Sequence, residues 1–547
     1  MPLSPKVYTW LCGLFASLGS IIFGYDLGVI AGVTPAPDFQ RIMGSRWGNP
    51  NLQGLVVSIF VLGCFFGMFP VAYAADHLGR RKTIMLGAAI YMLGGVLQTA
   101  AKNMDMMLAG RFFAGFGVGI LADLAPLYQA EIAHPSIRGR LTTLQQFMLG
   151  IGAFVASWIT YGCSAGLKGH PAEWRVPLGI QIVPAVPLFC FILLLPESPR
   201  WLAEKGRMDE AHATLARLHA NNNLDDPFVL AQVKDIDADI MRSKEIGEAT
   251  WKELFTNPSN FRRVALGYIL QFSVQMTGVS AIQYYSTTIF TTMGFSSTRI
   301  LLFQSINSII ALAGEAACVM WIDATGRRRP MIIGNFASGL SFVVGSILMA
   351  RWPGTVDNNA VRGLVCETTC NTNPFRAFRP TIFSSHLVTT WVFNFFFSSC
   401  IGPLSWAYPA EIYSTRTRAK ATAITSSGSW ISNFFIAQVT NPAFLNIGWK
   451  YYLVFAICGH TNALFIWAFY PETTGRRLEE MDALFEKAPI FVAGTHYAKV
   501  GDHRAAEREL REGTFRPGDL TEHGGGGDAK HEVFDVEDGK GSTEKVE

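Results

Sequence analysis

Apolar residues along this chain come in long uninterrupted runs, not in the alternation of a half-buried strand. Twelve runs stand out, over about residues 8–32, 52–74, 83–101, 107–127, 141–163, 176–195, 264–293, 300–322, 331–350, 381–408, 421–444 and 450–470. Each is long enough to cross about 30 Å of hydrocarbon at about 1.5 Å of helix rise per residue. Lipid offers the backbone no hydrogen bonds, so runs of this length predict helices. The short alternating segments of a closed barrel are missing. The pattern therefore predicts an all-α membrane protein with twelve transmembrane helices and both chain ends on one side.

The polar stretches between the runs refine this picture. The connectors "DHLGRRK", "HPSIRGR", "DATGRRRP" and "STRTRAK" follow the second, fourth, eighth and tenth runs and are dense in Arg and Lys. Basic loops stay on the cytoplasmic side, so both termini are expected there. The start, "MPLSPKVYTW", enters the first run with no small-residue cleavage site, so that run is expected to be a retained span. The connector 196–263 reads as soluble and helical: "MDEAHATLARLHA" has apolar residues at helical spacing, and "DPFVLAQVKDIDADIMRSKE" opens with a capping Asp and a first-turn Pro. These helices are expected to lie on the cytoplasmic face. Beyond about 488 the chain becomes Gly-rich and charged, as in "EHGGGGDAKHEVFDVEDGKGSTEKVE", and is expected to be a disordered cytoplasmic tail. The expected units are thus 1–195, 196–263, 264–487 and 488–547.

The connectors also repeat. "DHLGRRK" brings Asp76, Arg80 and Arg81; "DATGRRRP" brings Asp323, Arg327 and Arg328. "PLYQAEIAHPSIRGR" places Glu131 ahead of Arg138, and "WAYPAEIYSTRTRAK" places Glu411 ahead of Arg418 at the same spacing. "PESPRWL", with Glu197 and Arg200, follows the sixth run; "PETTGRRLEE", with Glu472, follows the twelfth. The motifs of the second half lie farther apart by about the length of the polar loop 351–380. Two parallel six-helix halves related by an axis along the membrane normal are a transporter architecture, with substrate held between them near the midplane. The repeated acids and arginines sit at cytoplasmic helix ends. They read either as ion-pair latches of an inner gate or as charges that only hold loops inside; the matching offsets favour latches.

Composition adds limits. Of 547 residues, 50% are hydrophobic and only 16% charged, with a mean hydropathy of +0.24, against about 25% charged in soluble domains. A net charge of +3 gives no reason to expect a nucleic-acid partner. Most of the nine cysteines lie in apolar runs, where cysteine packs as a small hydrophobe. Cys366 and Cys370 sit in the polar loop and could pair on an oxidising side. No metal-ligand cluster, phosphate-binding loop or nucleophile–base arrangement is found; no cofactor and no enzymatic activity are expected.

Several motifs together resemble those of the sugar porter family of the major facilitator superfamily, in its fungal form: "FGYDLGVIAG", "DHLGRRK", "RFFAGFGVGI", "PLYQAEI" with its following "RGR", "PESPRWL", "WRVPLGIQ", "WAYPAEI" and "PETTGRRLEE". The resemblance covers about residues 8–485. It implies the twelve-helix fold with intracellular helices in the central connector. It also implies transport of monosaccharides or related polyols and sugar acids.

Asp26 stands in the otherwise apolar "SIIFGYDLGVIAG". An ionised Asp at a helix centre costs about 2.5–3.5 kcal/mol on insertion scales. It is either a permanently protonated or paired structural residue, or a proton site. The family pattern pairs it with Arg111 in proton-coupled members, so the resemblance implies proton coupling through Asp26 and Arg111. Asp123, near the inner end of the fourth run, either joins an inner latch with Arg138 or Arg80 or faces an aqueous vestibule.

Sugars are read by amides and aromatic faces. By the resemblance, Gln146 of the Gln145–Gln146 pair faces the cavity, Gln275 and Ser280 stand at reading positions of the seventh run, and Trp406 stacks beneath the sugar. Gln283, beside Tyr284 and Tyr285, is an additional amide, and Trp430 and Asn433 fit the pattern in the eleventh run. Val274, Ser280 and Ser429 depart from it, which leaves a pentose, a less common hexose, a disaccharide or a sugar acid open beside glucose. A carboxylate substrate needs a cavity cation, and Arg111 is the one in view, so a neutral sugar is preferred. Gly402 and Pro403 are expected to bend the tenth helix at the cavity. The expected function is proton-coupled monosaccharide uptake at the plasma membrane, with sugar, protons and lipid as partners. A facilitative uniporter, a carrier of a disaccharide or sugar acid, and a non-transporting sugar sensor remain alternatives.

Overall fold

The computed structural model describes residues 4–498 apart from 134, 247–249, 293–296, 352–379, 415–416 and 475–479. The loop cysteines Cys366 and Cys370 lie outside the described residues. Among the described residues all regular structure is helical. A first group comprises α1 (Pro5–Ala16), α2 (Leu18–Val33), α3 (Pro37–Met43), α4 (Pro50–Leu78), α5 (Arg80–Thr99), α6 (Met104–Ile132), α7 (Pro135–Gly166), α8 (Ala172–Ile180) and α9 (Ala185–Phe191). Short helices α10 (Pro199–Glu204), α11 (Met208–His219), α12 (Pro227–Ile246) and α13 (Trp251–Thr256) follow. A second group comprises α14 (Pro258–Gln275), α15 (Val279–Thr292), α16 (Ser297–Thr325), α17 (Arg328–Arg351), α18 (Pro380–Phe396), α19 (Gly402–Ile412), α20 (Arg418–Ile447) and α21 (Lys450–Phe469), and α22 (Glu480–Lys487) comes after it.

Nine helical stretches among the described residues are long and apolar enough to cross a bilayer. Their positions match nine of the twelve apolar runs. The remaining runs, 83–101, 381–408 and 421–444, are helical too, as α5, α18 with α19, and α20. These helices are more polar or interrupted: α5 opens on Arg80, Arg81 and Lys82, and α20 carries "TAITSSGSWISN". Large apolar side chains such as Leu194, Met320, Ile457 and Leu464 remain exposed on the outside, as a lipid-facing belt requires.

Local chemistry sets the helix ends. Asn49 and Asn257 each precede a Pro at the first helical position, and each accepts a backbone N–H, from Asn51 at 2.9 Å and Ser259 at 3.0 Å. Asn103 caps α6 by accepting from Met106 N at 2.9 Å. In the connector, Asp226 accepts from Phe228 N at 2.9 Å to start α12.

Three apolar runs are not straight helices. The first breaks at Ser17, between α1 and α2. The seventh breaks at Met276–Gly278, where Gly278 has φ +92° and a Cβ would lie 2.7 Å from Phe455 Cγ, so only glycine fits. The tenth passes through a π-helical turn, Phe397–Ile401, directly before Gly402 and Pro403. A π turn adds one residue to the ladder and re-aims the helix beyond it.

Small residues let the helices approach closely. A Cβ on Gly24 would collide with Leu149 O, and one on Gly152 with Ile21 O, so α2 and α7 meet backbone to backbone. In the first group α4 and α5 pack on α6; in the second α17 packs on α21 and α14 on α20. The two groups meet where α4 contacts α20, α7 contacts α16, and α2 contacts α15.

Residues 488–498 pack on the second group: Val492 N donates to Ala468 O at 2.7 Å and Glu472 N to Tyr497 O at 2.9 Å. Arg262 donates to the carbonyls of Ala488 and Pro489, both at 2.6 Å. Buried Val492 and half-buried apolar neighbours give this segment something to bury; the Gly-rich composition begins only further on. Residues 499–547 lie outside the described residues.

Candidate functional site

Between α2 and α6 the structure places an acid and a base in full burial. Arg111 Nη1 donates to Asp26 Oδ1 at 2.5 Å, and both side chains are 0% exposed. The guanidinium also donates from Nε to Val56 O at 3.2 Å and lies over the Phe60 ring at 4.7 Å. Among the described residues Arg111 Nη2 is buried without a hydrogen-bond partner, and the buried Tyr91 hydroxyl lies beside Asp26. A buried pair left incomplete in this way is a poor static brace, because uncompensated polar atoms in low dielectric are costly.

A second set of polar groups lies where the two helix groups face each other. Gln275 Nε2 donates to Ser429 Oγ at 3.2 Å, and Ser280 Oγ donates to Gln275 Oε1 at 2.7 Å. The hydroxyls at the two departing positions thus satisfy the amide, while Val274 is buried among apolar neighbours. Trp430 is buried and packs its ring on Phe23 of the first group, centroids 5.6 Å apart. Trp430 Nε1 is buried without a hydrogen-bond partner among the described residues, and the buried Tyr284 hydroxyl lies beside the Asn433 amide. Gln283 and Trp406 are half-buried. Gln146 is half-buried on α7; its Nε2 lies 3.4 Å from Glu315 Oε1 on α16, and 3.8 Å from where a Gly402 Cβ would sit. Gln145 is turned away into a packing network, donating to Gln129 at 2.8 Å.

At the end carrying the arginine motifs the repeat becomes a repeated constellation. In the first group Arg80 grips Glu131 with two bonds, from Nη2 at 2.9 Å and Nε at 3.0 Å, and reaches Asp76 at 3.7 Å. Glu197 accepts from Arg80 N at 3.1 Å, Ser198 N at 3.1 Å and Arg81 Nε at 3.2 Å. In the second group Arg327 donates twice to Glu411, at 3.0 and 3.1 Å. Glu472 accepts from Arg327 N at 2.9 Å and Arg328 N at 3.1 Å. Each glutamate after the last run of its group therefore caps the N-terminus of a motif helix, where anions are favoured. Gly79 and Gly326, at φ +88° and +82°, make room: a Cβ would lie 2.8 Å from Glu197 Oε2 and 2.6 Å from Glu472 Oε2. These bonds all join residues of one helix group.

The other motif residues are placed less centrally. Arg200 pairs with Glu204 on its own helix at 3.4 Å. Arg328 donates from its guanidinium to Trp467 O, and Arg418 to Tyr413 O at 3.2 Å. Asp123 is half-buried on α6, and Arg80 is engaged elsewhere. The side chains of Arg138 and Asp323 lie outside the described residues.

At the opposite end the groups are bonded to each other. Ser58 donates to Gln438 Oε1 at 2.7 Å, Gln438 Nε2 donates to Asn51 O at 3.0 Å, and Asn441 Nδ2 donates to Gln53 Oε1 at 2.8 Å. Sequence reasoning passed over these amides and also over Glu315. The signal was present: Gln304, Ser308 and Glu315 fall on one face of α16 inside an apolar run, and an ionisable residue in such a run marks a site by default.

With this geometry in hand, comparisons with known proteins agree on a family. The family model described as "Sugar (and other) transporter" matches residues 12–485. The MFS glucose transporter mfs1 of Aspergillus flavus is 32% identical over 93% of this chain and 96% of its own length. The quinate permease of Neurospora africana is 29% identical over 88% of this chain and 90% of its own. Among solved structures, the proton:xylose symporter XylE of E. coli, bound to 6-bromo-6-deoxy-D-glucose, superposes with a TM-score of 0.71 at 23% identity. It covers 88% of this chain and 99% of XylE. That likeness is one of fold.

Proposed function

Given that the chain belongs to the sugar (and other) transporter family, we propose that it carries a monosaccharide, a hexose or pentose, into the cell together with a proton. It is a multi-pass membrane transporter of all-helical fold. In our reading twelve helices cross the plasma membrane as two six-helix halves, 1–195 and 264–487. The connector 196–263 and both termini are cytoplasmic. The halves rock about a central sugar site, in which Gln146, Gln275, Ser280, Gln283, Tyr284, Trp406, Trp430 and Asn433 read the substrate. Ser58, Gln438 and Asn441 bond the two groups at the motif-free end, which supports a reading in which the site communicates with the opposite, motif-bearing end.

The single observation that carries the coupling is the fully buried Asp26–Arg111 pair. With Asp26 ionised, its charge holds Arg111. Protonation removes that charge, and Arg111 falls back on Val56 O and the Phe60 face. Such an exchange lets proton binding shift the balance between two packings of α2 against α6. One charge moving inward adds about 2.3 kcal/mol per 100 mV of membrane potential.

A sugar-acid carrier is the second reading, favoured by the likeness to quinate permease. It requires a cation in the cavity, and Arg111 is committed to Asp26. The test is uptake of labelled glucose and xylose into vesicles containing the purified protein, under an imposed pH gradient, with competing sugars and sugar acids. Accumulation that collapses with a protonophore is expected. Equal entry with and without the gradient would mean a uniporter, and no entry of any substrate would mean a sensor.

A further inference from the structure

Glu315 is a buried carboxyl that neither the proton pair nor the inner constellations use. It sits on α16, 4% exposed, where that helix packs on α7 of the other group. Oε1 faces Gln146 Nε2 across a long 3.4 Å bond. Oε2 is buried without a hydrogen-bond partner among the described residues and lies in the notch left by Gly150, where a Cβ would collide with it. No ion pair to Glu315 is formed among the described residues; Cys318 follows on the next turn of its own helix, near Cys400 of the π turn. A carboxyl placed between two helix groups without a cation is a costly feature for packing alone.

The Gln146–Glu315 gap has the chemistry of a hydroxyl site. One hydroxyl accepts from the amide Nε2 and donates to the carboxyl oxygen, replacing a long bond with two short ones. A carboxylate ligand in the same place would be buried with no cation among the described residues to pair with it. We propose that Glu315 is the second half's partner to Gln146 in binding one hydroxyl of a neutral sugar, and that it selects against sugar acids. The proposal rests on the sugar-transport reading and narrows its substrate class. It also gives the substrate a handle on both halves, because the hydroxyl bridges α7 and α16 where the groups meet.

The test is a series of monodeoxy analogues of the transported sugar, competing with labelled sugar for exchange in vesicles, in wild type, Glu315→Gln and Glu315→Met. In wild type one analogue should bind about 10- to 100-fold worse than the parent, the value of one hydrogen bond to a carboxyl. Glu315→Gln keeps an acceptor and should keep that penalty. Glu315→Met should erase it for that analogue while leaving the other penalties in place. Uniform weakening of all analogues by Glu315→Met, as a packing role would give, overturns this proposal alone. Failure of every neutral sugar to compete in wild type overturns both it and the transport function. Should Glu315→Met not fold, Glu315→Cys with Cys318→Ser serves instead: bound sugar must slow its labelling by a small thiol reagent about tenfold, and an unchanged rate refutes the assignment.

Discussion

Replacing Glu472 with alanine should destabilise the protein far more than its position at a helix end would suggest. The carboxylate is 1% exposed and accepts four backbone N–H groups, from Arg327 at 2.9 Å, Thr473 at 3.0 Å, Arg328 at 3.1 Å and Thr474 at 3.2 Å. Removing it strips these donors of their acceptor. Each buried group left unsatisfied costs about 1–3 kcal/mol, and the lost anion at the start of α17 about 0.3–1 kcal/mol more. The bonds from Arg327 N and Thr474 N are only part-buried and those from Arg328 N and Thr473 N fully buried, so the net is on the order of 3–5 kcal/mol. That corresponds to a fall of about 3–4 °C in apparent Tm for a chain of this length. The assay is thermal unfolding of purified protein in detergent, comparing variants at one scan rate because membrane proteins of this size unfold irreversibly. Glu472→Gln, which keeps an acceptor oxygen, should lose about half as much. The repeat makes a second demand: Glu197→Ala should behave like Glu472→Ala, since Glu197 caps α5 in the same way. A Glu472→Ala protein that melts with the wild type but transports differently would refute the capping argument and assign these glutamates to gating.

Other variants probe separate parts of the account. Gly278→Ala should abolish folded protein, as its φ of +92° and a Cβ position 2.7 Å from Phe455 Cγ allow no side chain; expression with normal monodispersity would contradict this. Gln275→Ala leaves Ser280 and Ser429 without their partner and should raise the KM for sugar about 10-fold with little change in Tm. Gln438→Ala removes the bonds to Ser58 and Asn51 and should shift the balance of conformations by about 1–3 kcal/mol toward opening at that end, read as faster labelling of a cysteine introduced at Asn51.

Much of the architecture was legible because lipid allows few solutions. Long apolar runs had to be helices, and the connector motifs contain the residues of the two constellations Arg80–Glu131–Glu197 and Arg327–Glu411–Glu472, although their spacing set Glu131 ahead of Arg138 and Glu411 ahead of Arg418 and gave neither glutamate its partner. The contact between Asp26 and Arg111 came from a family pattern and not from the spacing of the two residues. What hydropathy could not reveal was interruption. The breaks at Ser17 and Met276–Gly278 leave average hydropathy unchanged, because a glycine at positive φ is as apolar as one in a helix. Glu315 was missed for a related reason: a single acid diluted among many apolar residues barely moves a run. The packed segment 488–498 was hidden by the composition of the longer tail beyond it. Ser280 and Ser429 read as losses when compared with a pattern, yet together they satisfy Gln275.

The pair at the centre of the account is tested most directly by Asp26→Asn in sealed vesicles. The asparagine keeps an oxygen for Arg111 Nη1 but cannot carry a proton. Under an imposed pH gradient and membrane potential the wild type should accumulate labelled sugar well above equilibrium, since a gradient of one pH unit is worth about 1.4 kcal/mol per proton. Asp26→Asn should bring the sugar only to equal concentration on both sides while still exchanging internal for external sugar. Uphill accumulation by Asp26→Asn equal to that of the wild type would contradict the coupling.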